Sequence, residues 1–125
     1  MAVGRTNVAI GKVWKYASGT IGFTDTTNAD SPKTFTVSGL GFKPRMVVAV
    51  TGTNSTVTNC NDISVGMLDA NDSVVVRTFL STLNAKYGES GSIYMGDNGF
   101  TVTNDGFSMN IIQHLSDVTW RAWGY

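Results

Sequence analysis

The sequence predicts an all-β protein with the architecture of an antiparallel β-sandwich or barrel. Charged residues make up only 14% of its 125 residues, against a usual share of about 25%. Thr, Ser, Asn and Gly replace them, and this mixture suits strands and turns better than helices. Nine or ten apolar or alternating segments are separated by turn residues, at spacings of about 8 to 12 residues. No amphipathic helix interrupts them, and the length corresponds to one domain.

The N-terminal segment has two interpretations. Val8, Ile10 and Trp14 could share one face of a strand, although glycines interrupt the pattern. Residues 1–17 are therefore either a first strand packed on the sandwich or an arm that reaches a neighbouring subunit. The sandwich itself is predicted to span residues 18–125.

The next three strands are predicted from different patterns. A short strand covers residues 19–24, and a polar loop follows it. Residues 34–38 alternate, which places Phe35 and Val37 on the inner face. After a Gly- and Pro-containing bend, residues 46–51 form a continuous apolar run, typical of a strand covered on both faces. The second sheet could cover one face and a neighbouring subunit the other.

The pattern in the second half of the chain predicts a series of hairpins. Strands at 63–68 and 73–79 are joined by a turn at 69–72, and Asn-Gly and Asp-Gly turns separate the later strands. Two polar loops, at 52–62 and 81–90, have the length of functional loops. The remaining strands are predicted at 92–95, 100–103 and 107–112.

The last strand, from residue 118 onward, alternates most clearly. Trp120 and Ala122 point to one face, while Trp123 and Tyr125 point to the other. Burial of a large aromatic side chain contributes roughly 1.5 to 3 kcal/mol, so this strand is predicted to be central, with Trp120 in the core. The outer aromatic pair could lie at a subunit interface, in the core of a second face or on a sugar-stacking platform.

Three segments resemble a known family. They are Gly-Phe-Lys-Pro-Arg-Met-Val-Val-Ala-Val at 41–50, Asp-Gly-Phe-Ser-Met at 105–109 and Val-Thr-Trp-Arg-Ala-Trp-Gly at 118–124. Together they resemble the H-type lectin-like β-sandwich, and the likeness covers residues 34–125. It implies a six-stranded antiparallel sandwich that forms a homotrimer, with ligand sites at subunit interfaces. Sugar-binding members carry a tryptophan before the closing strand, whereas residues 112–117 here contain no aromatic. The domains of phage tail fibre and baseplate tips are more similar, because Trp-Lys-Tyr-Ala-Ser-Gly at 14–19 and the Gly-Leu-Gly-Phe-Lys-Pro bend at 39–44 resemble segments of those proteins.

The resemblance implies a function. It predicts a non-catalytic component of a phage tail tip or fibre that binds host surface polysaccharide as a multivalent homo-oligomer, a trimer or a multiple of it. The alternative is a purely architectural tail protein without a ligand. Either protein would be made in the host cytoplasm without a signal peptide, and would contact other tail proteins in the virion. The candidate ligand-binding residues are His114, Asp117, Arg121, Trp123 and Tyr125, and the candidate interface residues are Trp14, Trp123 and Tyr125.

Other functional classes are disfavoured by composition and spacing. Nine basic and nine acidic residues balance, without the basic stripe of a nucleic-acid binder, and no apolar run is long enough to span a membrane. Cys60 is the only cysteine, which excludes an internal disulfide. The oxygen-rich segments 69–72 and 97–98 lack a complete calcium loop and are predicted to be turns. Without a nucleophile motif or an acid/base pair, no enzymatic activity, metal or cofactor is expected.

Overall fold

The computed structural model describes residues 12–22, 32–51, 62–81, 94–112 and 117–125. These residues form strands and connections, with no helix among them, and so none that could span a membrane. The prediction of an all-β protein is confirmed. The strands are β1 (Lys15–Ile21), β2 (Pro32–Val37), β3 (Pro44–Thr51), β4 (Asp62–Leu68), β5 (Val74–Ser81), β6 (Tyr94–Asp97), β7 (Thr101–Val102), β8 (Phe107–Ile112) and β9 (Val118–Gly124).

The strands form two antiparallel sheets, as a β-sandwich requires. The larger sheet has the order β1-β9-β3-β4-β5-β6, and the smaller sheet has the order β2-β8-β7. The described residues thus contain nine strands, whereas the family resemblance implied six. β9 lies between β1 and β3 and pairs with both, so the closing strand is interior, as its aromatic content predicted.

The core lies between the inner faces of the two sheets. Phe107 of β8 is near its centre, with its ring centroid 5.7 Å from that of Phe35 and 5.6 Å from that of Trp120. Both contacts are edge-to-face, the arrangement that aromatic quadrupoles favour. The other buried side chains of the core cluster are Phe42, Val47, Ala49, Leu68, Phe100, Met109, Ile111, Val118 and Ala122.

One face of β3 is covered as predicted, and cover of the other face by a neighbouring subunit stays a prediction. Val47 and Ala49 are fully buried against the smaller sheet, whereas Met46 and Val48 are half-buried and Val50 is exposed. The smaller sheet covers only the inner face of the larger one, and successive side chains alternate between the faces. The described part of a single chain therefore leaves the other face of β3 partly open.

The predicted boundary between residues 17 and 18 falls inside β1. Residues 15–17 pair with β9 and belong to the larger sheet. Gly19 faces Trp120 across this pair, and a Cβ atom there would lie 2.7 Å from the indole ring. The absence of a side chain at Gly19 thus makes room for a core tryptophan.

The side of the larger sheet that points away from the smaller sheet is its outer face. In the register of β3, β4, β5 and β6, one row on this face consists of Val50, Ile63, Leu80 and Met95. Of these, Val50 is 36%, Ile63 38% and Met95 61% exposed. We call these four residues, together with Val48 and Val65 of the neighbouring row, the apolar outer face.

Candidate functional site

A cleft of about 480 Å³ lies at one end of the outer face. Trp123 lies near the end of β9 and Tyr125 directly follows that strand, while Trp14 directly precedes β1. Because β1 and β3 flank β9, they bring Trp14 and Arg45 beside these two rings. We call this the aromatic cleft; it is lined by Trp14, Arg45, Met46, Met67, Trp123 and Tyr125, with residues 68–70 at one side.

The rings of the cleft form two contacting pairs. Trp14 meets Tyr125 edge-on, with centroids 4.9 Å apart and an interplanar angle of 83°. Tyr16 lies opposite Trp123 across the β1–β9 pair, and their ring centroids are 5.4 Å apart. Trp14 is 54% exposed and Tyr16 53% exposed. The rings thus support one another while keeping accessible surface, which is the condition for stacking on a ligand.

Cations surround the Tyr125 ring. The Arg45 guanidinium lies 3.9 Å from the ring centroid, and the Lys12 ammonium lies 4.7 Å from it. Both distances are within the range of cation–π attraction. The Arg45 side chain is only 12% exposed, so it is a fixed part of the cleft wall.

An aspartate at the β4–β5 turn holds Arg45 in this position. Asp72 accepts hydrogen bonds from Arg45 Nη1 and, at 3.1 Å, from Lys43 Nζ. These bonds, with that from Arg45 the larger influence, lower the pKa of the Asp72 carboxyl below its ordinary value. The predicted turn at 69–72 is present. Asp69 Oδ1 accepts the backbone N–H groups of Asn71 and Ser73, so this carboxylate stabilises the turn.

A polar group lies beside the aromatic cleft on the same face. Ser18 is directly opposite Arg121 in the β1–β9 register, and Tyr16 lies diagonally opposite Arg121 on the same face. The nearby Ser18 hydroxyl, and to a smaller extent the nearby Arg121 guanidinium, lower the pKa of the Tyr16 phenol below its ordinary value, although burial acts in the opposite direction. We call Tyr16, Ser18 and Arg121 the polar triad.

The structure brings together most of the residues singled out from the sequence. Trp14, Trp123 and Tyr125 line one cleft, and Arg121 lies next to it. Asp117 is exposed and precedes β9, at the opposite end of the strand from Tyr125. His114 lies outside the described residues, as do residues 52–61 and 82–93, which include most of the two polar loops that have the length of functional loops.

Sequence reasoning missed several residues of the cleft. Arg45 was read only as part of a bend, and Met46 and Met67 only as strand residues. Pairing of β3 with β9 and β4 places Met46 opposite both Trp123 and Met67. No local pattern signals such a meeting, because it depends on a register between segments far apart in the chain. Among the described residues, no group of three or more His, Cys, Asp or Glu side chains could hold a metal ion.

The fold and the site together define a class: an antiparallel β-sandwich with an aromatic cleft on the outer face of its larger sheet. Comparisons with protein-family models, curated proteins and solved structures find no match to this chain.

Proposed function

We propose that this protein is a non-catalytic component of a phage tail tip or fibre that binds host surface polysaccharide as a homo-oligomer. The observation that carries the proposal is the aromatic cleft. Trp14, Trp123 and Tyr125 combine accessible ring surface with a guanidinium fixed by Asp72. Flat aromatic faces pack well against the apolar faces of sugar rings, and polar groups at the margin can bond their hydroxyls.

Repetition of the cleft would supply useful affinity. One stacked ring contributes only about 1 kcal/mol beyond its buried area, so a single sugar would bind weakly. Identical clefts on associated subunits raise the overall affinity through their effective concentration. The apolar outer face offers a surface for such association, since large exposed apolar patches commonly mark interfaces.

The binding proposal is tested with a panel of bacterial surface oligosaccharides and the variant Trp123→Ala. Binding is followed by the indole N–H signals in NMR spectra. We expect the wild-type protein to bind at least one member of the panel. Loss of one stacking ring should weaken that binding about fivefold per site, the equivalent of about 1 kcal/mol.

The matched control is Val75→Ala, which truncates an exposed β5 side chain that is not part of the cleft wall. Because Trp123 is half-buried, Trp123→Phe is made in parallel to retain packing. Unchanged binding by Trp123→Ala would show that the ligand binds outside the aromatic cleft. Failure of the wild-type protein to bind any oligosaccharide would contradict the polysaccharide proposal.

The architectural alternative is favoured by a different observation, the apolar outer face. A protein that serves only in assembly needs such a surface and does not need an open cleft. Its expected signature is a stable oligomer that binds no oligosaccharide and in which Trp14, Trp123 and Tyr125 become protected. Solvent quenching of tryptophan fluorescence in the oligomer would distinguish the two functions, because a binding protein must leave these rings accessible.

A further inference from the structure

We propose that the saccharide bound at the aromatic cleft is acidic, with a carboxylate that binds the polar triad of Tyr16, Ser18 and Arg121. This inference rests on the proposed function and names the class of its ligand. It starts from the charge of the outer face. The guanidinium of Arg121 is exposed, and no carboxylate of the described residues forms an ion pair with it.

The hydrogen-bonding groups of the triad match a carboxylate. Arg121 offers a planar fork of N–H donors, which can bond both oxygens of a carboxylate at once. Ser18 lies directly opposite Arg121, and Tyr16 lies diagonally opposite it on the same face. The Tyr16 hydroxyl can donate its proton to an oxygen atom of the ligand. An anion would thus meet one positive charge and one further donor.

The spacing along β9 links the triad to the stacking surface. Arg121 and Trp123 are on the same face and two residues apart, a separation of about 7 Å along a strand. A sugar ring stacked on Trp123 could therefore direct a ring carboxylate towards Arg121. Tyr16 connects the two groups, because its ring contacts Trp123 and it lies diagonally opposite Arg121 on the same face.

The charges around the cleft differ in their availability. Arg45 and Lys43 are already paired with Asp72, so they are poor candidates for binding a ligand anion. Lys12 lies over the Tyr125 ring as a point charge and lacks the planar fork of a guanidinium. Arg121 has hydroxyl neighbours on β1, and none of the ion pairs among the described residues includes it. The triad thus combines a guanidinium that a ligand carboxylate can pair with, without displacing a described ion pair, and a hydroxyl donor beside it.

The test uses two ligands that differ only in the acidic group, a glucuronic acid oligosaccharide and its carboxyl-reduced, neutral counterpart. Wild-type protein should bind the acidic form more tightly, and added salt should reduce the difference. Arg121→Gln should weaken binding of the acidic form about tenfold, because a hydrogen bond to a charged group is lost, and should leave binding of the neutral form unchanged. Arg121→Lys should give an intermediate value, since the charge remains and the fork is lost.

The control is Arg77→Gln, which removes an exposed guanidinium from β5, on the far side of the sheet, with the same change in net charge. If Arg77→Gln and Arg121→Gln weaken binding of the acidic form equally, the effect is general electrostatic attraction and the inference is overturned. If Arg121→Gln still binds the acidic form as much more tightly than the neutral form as the wild-type protein does, the inference is also overturned, while the proposed function stands. If the wild-type protein binds neither oligosaccharide nor any other saccharide, both proposals fail. If polyphosphate binds equally tightly, the site recognises polyanions in general, and the proposal of an acidic saccharide is overturned.

Discussion

At the scale of single residues, Asn98 is a polar side chain whose hydrogen bonds connect the two sheets. It is fully buried. Its Nδ2 donates to Ser64 Oγ at 2.7 Å and to Val65 O at 3.0 Å, and its Oδ1 accepts from the backbone of Phe100 at 2.9 Å. Ser64 in turn donates to the carbonyl of Asn110. The network ties β4 of the larger sheet to β8 of the smaller one.

Asn98→Asp tests this network with almost no change of shape. The new carboxylate would face acceptor oxygens where the amide donates, so the free energy of unfolding should fall by about 3 kcal/mol at neutral pH. A penalty on the charged form raises the pKa of the new carboxyl by about 1 unit per 1.4 kcal/mol, so the loss should begin to shrink well above the ordinary carboxyl pKa of about 4 and should be smallest below it. Urea unfolding at several pH values measures it, with the exposed-site variant Thr101→Ser as control. A constant, small loss would mean that the network contributes little.

Asp72 allows a second test at this scale, through its lowered pKa. A carboxyl whose pKa is depressed by folding stabilises the protein above the ordinary carboxyl pKa, and this contribution is lost as the pH falls through the lower, folded-state value. Asp72→Asn removes the charge but keeps a residue that tolerates the positive φ of 63° found there. The wild-type protein should be the more stable at pH 6, and the difference should disappear towards pH 2 in thermal unfolding curves. A difference independent of pH would contradict an ionic role.

At the scale of secondary-structure elements, β1 positions one wall of the aromatic cleft, because Trp14 directly precedes it. Among the described strands, β1 is at the edge of the larger sheet and pairs with β9, and Tyr16 lies near its N-terminal end. The sequence is compatible with either a packed first strand or an arm at the N-terminus. Residues 15–17 belong to the sheet, so an arm, if there is one, must lie before them.

Two truncations separate these possibilities. Removal of residues 1–11 leaves every described contact of β1 in place, so the melting temperature should stay within about 2 °C of the wild-type value. Removal of residues 1–17 deletes three β1 residues and both aromatic pairs. Each pair contributes about 0.5–1.5 kcal/mol, and the expected decrease is about 4 to 10 °C. Equal melting temperatures for the two truncations would contradict the role assigned to β1.

At the scale of the whole molecule, the two faces of the larger sheet have different surroundings. Its inner face packs on the smaller sheet, whereas the apolar outer face keeps exposed Val50, Ile63 and Met95. A face of this kind on a chain with zero formal charge favours association. The oligomer of the proposed function would bury it.

Val65→Lys places a charge in the middle of the apolar outer face. If subunits associate there, light scattering should give about three times 13.4 kDa for the wild-type protein and a monomer for the variant, because an unpaired buried charge is strongly unfavourable. Val75→Lys, at an exposed position of β5, is the matched control and should retain the oligomer. A monomeric wild-type protein would contradict the proposed oligomer. An oligomeric Val65→Lys variant would show that the interface does not include the centre of the apolar outer face.

The sequence by itself determined the fold class and the facing of side chains. In β9, the alternation separates Trp120 and Ala122 from Trp123 and Tyr125, because successive residues of a strand face opposite sides wherever the strand is placed. The same period placed Phe35 correctly in the core, and Pro, Asn and Gly located the turns. These are local properties, set by backbone geometry over a few residues.

Only the tertiary structure decided which of these faces meet. The aromatic cleft requires Trp14, Arg45 and Met67 to reach Trp123 and Tyr125 through the pairing of β1, β3, β4 and β9. The sequence predicts Asn98 only as part of a turn, whereas the structure buries it fully because β4, β5 and β8 close around it. Register and burial of this kind depend on contacts between distant segments, whose free energies are summed over the whole core and are not visible in any short stretch of sequence.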